Sequence, residues 1–140
     1  INKMPTATLT LTSADIAGDP VNVSKTSTCY KAGTTIMLDQ TGGLNSVILT
    51  STSANTILDA VALGTDKAAK VYIKNNSIDT TEFITVTINA TVVGKLYAGQ
   101  WLFMPWSQND TAADIKITAS VAGVSMPIEY MLMHEGWTFA

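Results

Sequence analysis

Apolar and polar residues alternate with a period of two along most of the chain. Thr6, Thr8, Thr10 and Thr12 alternate with Ala7, Leu9 and Leu11, so an extended segment there has one hydroxylated and one apolar face. Ile84, Val86 and Ile88 alternate with Thr85, Thr87 and Asn89 in the same way, and Ile115, Ile117, Ala119 and Val121 with Lys116, Thr118 and Ser120. Towards the end, Ile128, Tyr130 and Leu132 face opposite to Glu129, Met131 and Met133. Shorter extended runs are expected at Val21–Ser27, Thr34–Leu38, Ser46–Thr50 and Val71–Lys74. Turn chemistry separates them at Gly18-Asp19-Pro20, Thr41-Gly42-Gly43, Asn75-Asn76-Ser77, Val93-Gly94-Lys95, Ser107-Gln108-Asn109-Asp110 and Ala122-Gly123.

Short strands at regular spacing predict an all-β fold, a single antiparallel β-sandwich over residues 1–140, jelly-roll or immunoglobulin-like. An eight-strand count tilts the choice towards the jelly roll. Ile1–Pro5, ahead of the first clean strand and uncharged except for Lys3, is expected to form an extended arm. Thr56–Leu63 is the one stretch with helical features. It has apolar positions at i, i+1 and i+4, a Thr-x-x-Asp start and Gly64 as a stop, which fits a two-turn helix or a loop. At most one short helix is expected.

Gly99-Gln100-Trp101-Leu102-Phe103-Met104-Pro105-Trp106 breaks the alternation. In an extended strand, Trp101, Phe103 and Pro105 share one face and Leu102, Met104 and Trp106 the other, so both faces are apolar. Such a strand is either central and covered on both sides, or has one face in the core and one against another chain. Large aromatics and Met are enriched at interface centres, where charges are depleted. Trp137-Thr138-Phe139-Ala140 adds two aromatics near the end, where docking on the domain or on a neighbour is expected. The candidate interface set is therefore Trp101, Phe103, Met104, Trp106, Trp137 and Phe139.

Composition narrows the chemistry. The chain carries 21 Thr, 12 Ile and 10 Val, a β-branched excess suited to pleated, half-buried surfaces. Charged residues are only 14% against 46% hydrophobic, which excludes a disordered chain, and no apolar run is long enough for a membrane helix. All eight basic residues are Lys and the net charge is −3. Without Arg or a basic surplus, no nucleic-acid partner is expected. Ile1–Pro5 lacks the apolar core of a secretory leader, so synthesis in the cytoplasm is expected.

No catalytic motif emerges. His134 is the only His and Cys29 the only Cys; neither Gly-x-Ser-x-Gly nor a Cys-His signature occurs, a lone His reads as a hydrogen-bonded structural residue, and no multi-thiolate or structural zinc site can be assembled. Asn109, Asp110 and Asp114 offer oxygen atoms for calcium, but without the spacing of a helix-loop-helix site, and the segment reads as a polar turn. Thr41-Gly42-Gly43 precedes a strand and does not cradle phosphate. The chain is expected to be non-enzymatic and to need no cofactor or metal.

The segments Val71-Tyr72-Ile73-Lys74-Asn75, Thr85-Val86-Thr87, Gly94-Lys95-Leu96-Tyr97-Ala98-Gly99-Gln100-Trp101-Leu102-Phe103-Met104-Pro105-Trp106, Asp114-Ile115-Lys116-Ile117 and Ile128-Glu129-Tyr130-Met131-Leu132, taken in this order, resemble small β-sandwich virion proteins of tailed bacteriophages. The resemblance covers Val71 to Leu132. It implies a structural role, of which the expected form is a capsid decoration or cement protein on the virion exterior. The expected partners are copies of itself, as a trimer, and the major capsid protein. A tail or fibre protein, or a carbohydrate-binding adhesin using Trp101, Trp106 or Trp137, is the competing expectation.

Overall fold

The computed structural model describes residues 6–14, 21–28, 44–60, 67–107 and 112–138. Within them the chain forms ten strands and no helix. Strands β1 (Thr6–Ser13) and β2 (Val21–Thr28) make a two-stranded antiparallel sheet of their own. The alternating Thr positions of β1 meet Thr26 and Ser24 across this ladder: the Thr8 and Thr26 hydroxyls lie 2.7 Å apart, and those of Thr10 and Ser24 3.2 Å.

The other eight strands are β3 (Asn45–Leu49), β4 (Asn55–Leu58), β5 (Lys67–Asn75), β6 (Phe83–Ile88), β7 (Thr91–Tyr97), β8 (Trp101–Ser107), β9 (Ile115–Ala119) and β10 (Met126–Thr138). They form two antiparallel sheets in the orders β3-β10-β5-β8 and β4-β9-β6-β7. The pairs β3–β10, β4–β9, β5–β8 and β6–β7 are nested, like one long hairpin folded about the β6–β7 turn. Rolling that hairpin up adds the pairs β10–β5 and β9–β6. This is the jelly-roll connectivity, two interlocked Greek keys. Ile73, Ile84, Val86, Ile115, Ile117, Met126 and Ile128 fill the space between the sheets and are fully buried.

Two expectations are corrected. Asn55–Leu58 is a strand rather than a helix or loop: β4 pairs with β9, and Leu58 enters the core. Ile57 packs against the same core. This four-residue run, with β-branched Thr56 and Ile57 at its centre, gains its backbone hydrogen bonds from β9, which a helix this short cannot match on its own. Ala60 then closes the strand by donating its N–H to Asp114 Oδ1 at 2.9 Å. Val93-Gly94-Lys95 is not a turn but part of β7. The reversal comes earlier, at Asn89 and Ala90, with φ of 48° and 62°, between the paired residues Ile88 and Thr91. Two consecutive left-handed residues are the hairpin geometry that matches strand twist. Gly94 instead adjoins a register shift in the β6–β7 ladder, where Val93 is the extra residue, a common place for glycine in a strand. The strand expected at Thr34–Leu38 and the arm expected at Ile1–Pro5 lie outside the described residues.

Candidate functional site: the outer face of the β3-β10-β5-β8 sheet

Strand β8 sits at the edge of its sheet, paired only to β5 among the described strands, and its two sides have different environments. Trp106 is buried and donates its indole N–H to the Ala113 carbonyl at 2.7 Å, so its polar atom is satisfied inside the protein. Leu102 and Met104, two and four residues earlier, pack on the same core. Of the candidate interface residues, Trp106 and Met104 thus lie on the side of β8 that packs on this chain's own core, Trp106 buried and Met104 partly so. The parity of the strand decides this, because a residue shared with Leu102 points between the sheets.

The opposite side keeps its apolar character but not its burial. Trp101 is 52% exposed and Phe103 half-buried, with Pro105 exposed beyond them. In register, Trp101 lies beside Lys74 and Phe103 beside Tyr72 on β5. Those residues in turn lie beside Glu129 and Met131 on β10. Two rows therefore cross the outer face, Glu129–Lys74–Trp101 and Met131–Tyr72–Phe103. Trp137 lies in β10 within its irregular last turn of pairing, and Phe139 is outside the described residues.

A diagonal hydrogen bond links the rows, from the Tyr72 hydroxyl to Glu129 Oε1 at 2.9 Å. Burial, first, and then the hydrogen bond and negative charge of Glu129 push the Tyr72 hydroxyl up to about 12. Glu129 is held below the usual carboxylate range by hydrogen bonds from Tyr72 and Asn76, with the Lys74 ammonium adding to them. At neutral pH the face thus carries an ionised carboxylate, a neutral phenol and aromatic rings. Over it lies the β1–β2 hairpin. Thr8 and Leu9 of β1, with Tyr72, Lys74, Trp101 and Phe103, line a groove of about 320 Å³.

The neighbouring end of the sandwich is held rigidly. Asn75 is fully buried; its N–H bonds the Gln100 carbonyl at 3.0 Å and its side-chain amide the Leu96 carbonyl at 3.0 Å. The Gly99 N–H returns a bond to the Asn75 carbonyl at 2.8 Å, with Gly99 at φ +77°, a conformation that favours glycine. Ser77 donates its N–H to Asn75 Oδ1 and its hydroxyl to Glu82 Oε2 at 2.6 Å. These bonds fix the turn from which Trp101 emerges. Periodicity reveals neither this cluster nor the Tyr72–Glu129 pair, whose members are 57 residues apart in sequence.

Among the described residues no group of three His, Cys, Asp or Glu is placed to hold a metal ion. Asp114 of the oxygen-rich turn spends Oδ1 on the Ala60 N–H, while Asn109 and Asp110 lie outside the described residues. No protein-family model matches the chain, and no curated protein matches it.

Proposed function

We propose that this chain is a non-enzymatic virion structural protein, a decoration or cement protein on the exterior of a tailed-phage capsid. It acts by binding copies of itself, as a trimer, and the major capsid protein. The observation that carries the proposal is the outer side of β8, where Trp101 and Phe103 stand in an apolar row that the chain leaves half-covered. Centres of protein interfaces are rich in such residues, and symmetric repetition multiplies weak single contacts into durable ones. The resemblance of Val71–Leu132 to small sandwich proteins of phage virions supports the same role. Low charge on the chain keeps such association largely independent of salt.

Quantitative mass spectrometry of purified virions of the encoding phage tests the proposal. Hundreds of copies, comparable to the major shell protein, are expected. Six to a few dozen copies would place the protein on the tail instead, and absence from virions would overturn the proposal.

A further inference from the structure

Among the described residues, the β1–β2 hairpin forms a sheet of its own beside the sandwich. Its two strands hydrogen-bond to each other and to neither four-stranded sheet. A two-stranded ribbon is marginal in water unless it lies on something. Here β2 lies against β10, and β1 reaches over β5 and β8. On β10, Met133 is the register partner of Lys70, which stands on the outer side of β5. Met133 is 5% exposed yet is not part of the cluster between the sheets. The hairpin thus shields an apolar outer face that the sandwich itself does not cover.

Its seating is incomplete in two ways. The groove beside Leu9 remains open and Trp101 stays half-exposed. Farther along the ribbon, the cross-strand neighbours Leu11 and Val23 are 53% and 56% exposed. This apolar pair extends the side that carries Leu9, but has no cover. Sixteen residues, 29–44, separate β2 from β3. Fully extended, such a connection spans roughly 50 Å, enough to carry the ribbon to an adjoining molecule.

We propose that the hairpin is an exchangeable arm. It seats on the β3-β10-β5-β8 sheet of a second copy of this chain, covering there the same Met133, Tyr72 and Phe103, while Leu11 and Val23 make the additional contact. Exchange re-uses one interface and is therefore an inexpensive route to symmetric assembly. The inference rests on the self-association proposed above and names the element that performs it.

Two full-length chains with different tags, one carrying Leu9→Cys and the other Phe103→Cys, both in a Cys29→Ser background, are co-expressed and treated with a short bismaleimide. Both positions line one groove, so the double variant within one chain serves as the positive control. A cross-linked heterodimer is expected. If the mixed chains give none while the double variant cross-links within itself, exchange is overturned even where light scattering shows an oligomer. An oligomer without exchange leaves the self-association proposal standing, so the two failures are distinguishable. Leu11→Asn with Val23→Thr changes only exposed positions. It is expected to raise the concentration at which the oligomer dissociates about tenfold, and an unchanged dissociation would also overturn the exchange.

Discussion

The two outward faces of the sandwich are built on one fold and finished differently. On the β4-β9-β6-β7 sheet, Thr56, Thr85, Thr87, Lys95, Lys116 and Thr118 turn outward, opposite the buried Ile84, Val86, Ile115 and Ile117. Its aromatic pair, Phe83 and Tyr97, has ring centres 5.1 Å apart, and the Lys95 ammonium lies 4.5 Å from the Phe83 centre. The chain thus supplies its own cation to cover that ring. On the β3-β10-β5-β8 sheet the outward rows hold Trp101, Phe103, Tyr72, Met131 and Met133, and a separate ribbon lies over them. One face turns mainly hydroxyls and Lys outward, whereas the other sets aromatic and Met side chains beside Lys74 and Glu129 under a second layer of protein. That asymmetry, rather than overall hydrophobicity, is what the proposed contact rests on.

The sharpest test divides the two sides of β8. Trp106→Ala empties a buried site and strands the Ala113 carbonyl, so a loss of about 3–5 kcal/mol is expected in urea unfolding. Trp101→Ala removes a half-exposed ring and is expected to cost about 1 kcal/mol or less. Its effect appears in assembly instead, as a shift towards monomer in light scattering. Equal stability losses for the two variants would break the assignment of one side to core and the other to contact.

Much of this division was legible before any coordinates. Period-two alternation located the cores of most strands, and the doubly apolar Trp101–Trp106 run identified the unusual strand. Parity alone grouped Leu102, Met104 and Trp106, but nothing local says which group faces inward. That depends on β5 and β10, whose partners are supplied from distant parts of the chain. The helical features of Thr56–Leu63 mislead because a short apolar run does not separate helix from strand by periodicity, and its first residues belong to the edge strand Asn55–Leu58. Val93-Gly94-Lys95 was misread because its glycine serves a bulge, whereas Asn89 and Ala90 adopt left-handed conformations that composition does not advertise for Ala. The Tyr72–Glu129 bond requires strands paired across 57 residues, and the groove brings β1 against the β5–β8 pair, neither of which a spacing rule encodes.

Titration sharpens the contrast further, because only the aromatic face carries a coupled phenol and carboxylate. Glu129 has a lowered folded-state pKa, so its stabilisation is present above its unfolded value and fades as pH falls through the lowered one. Tyr72 is raised from 10.0 to about 12, so its contribution is complete below pH 10 and is lost as pH climbs towards 12. Tyr72→Phe is expected to flatten stability between pH 10 and 12 relative to the parent, measured by chemical unfolding at each pH. It also removes one donor from Glu129, so the acid-side loss in this variant is smaller and is complete at a higher pH than in the parent. Parallel profiles for the two proteins would show that the bond contributes nothing to folding.

The smallest effect is expected on the hydroxylated face, and its smallness is the point. Thr85 and Thr118 are direct register partners on β6 and β9, each half-exposed and directed away from the core. Replacing either by Ala removes a β-branched side chain from a strand but opens no cavity and leaves no buried polar atom unpaired. A change within about 0.5 kcal/mol follows, mostly from lost strand propensity. The double variant is expected to keep the parent's oligomeric state at every concentration measured by light scattering. Should Thr85→Ala with Thr118→Ala instead dissociate the oligomer while Trp101→Ala leaves it intact, the contact face is the hydroxylated one, and the roles of the two sheets are reversed.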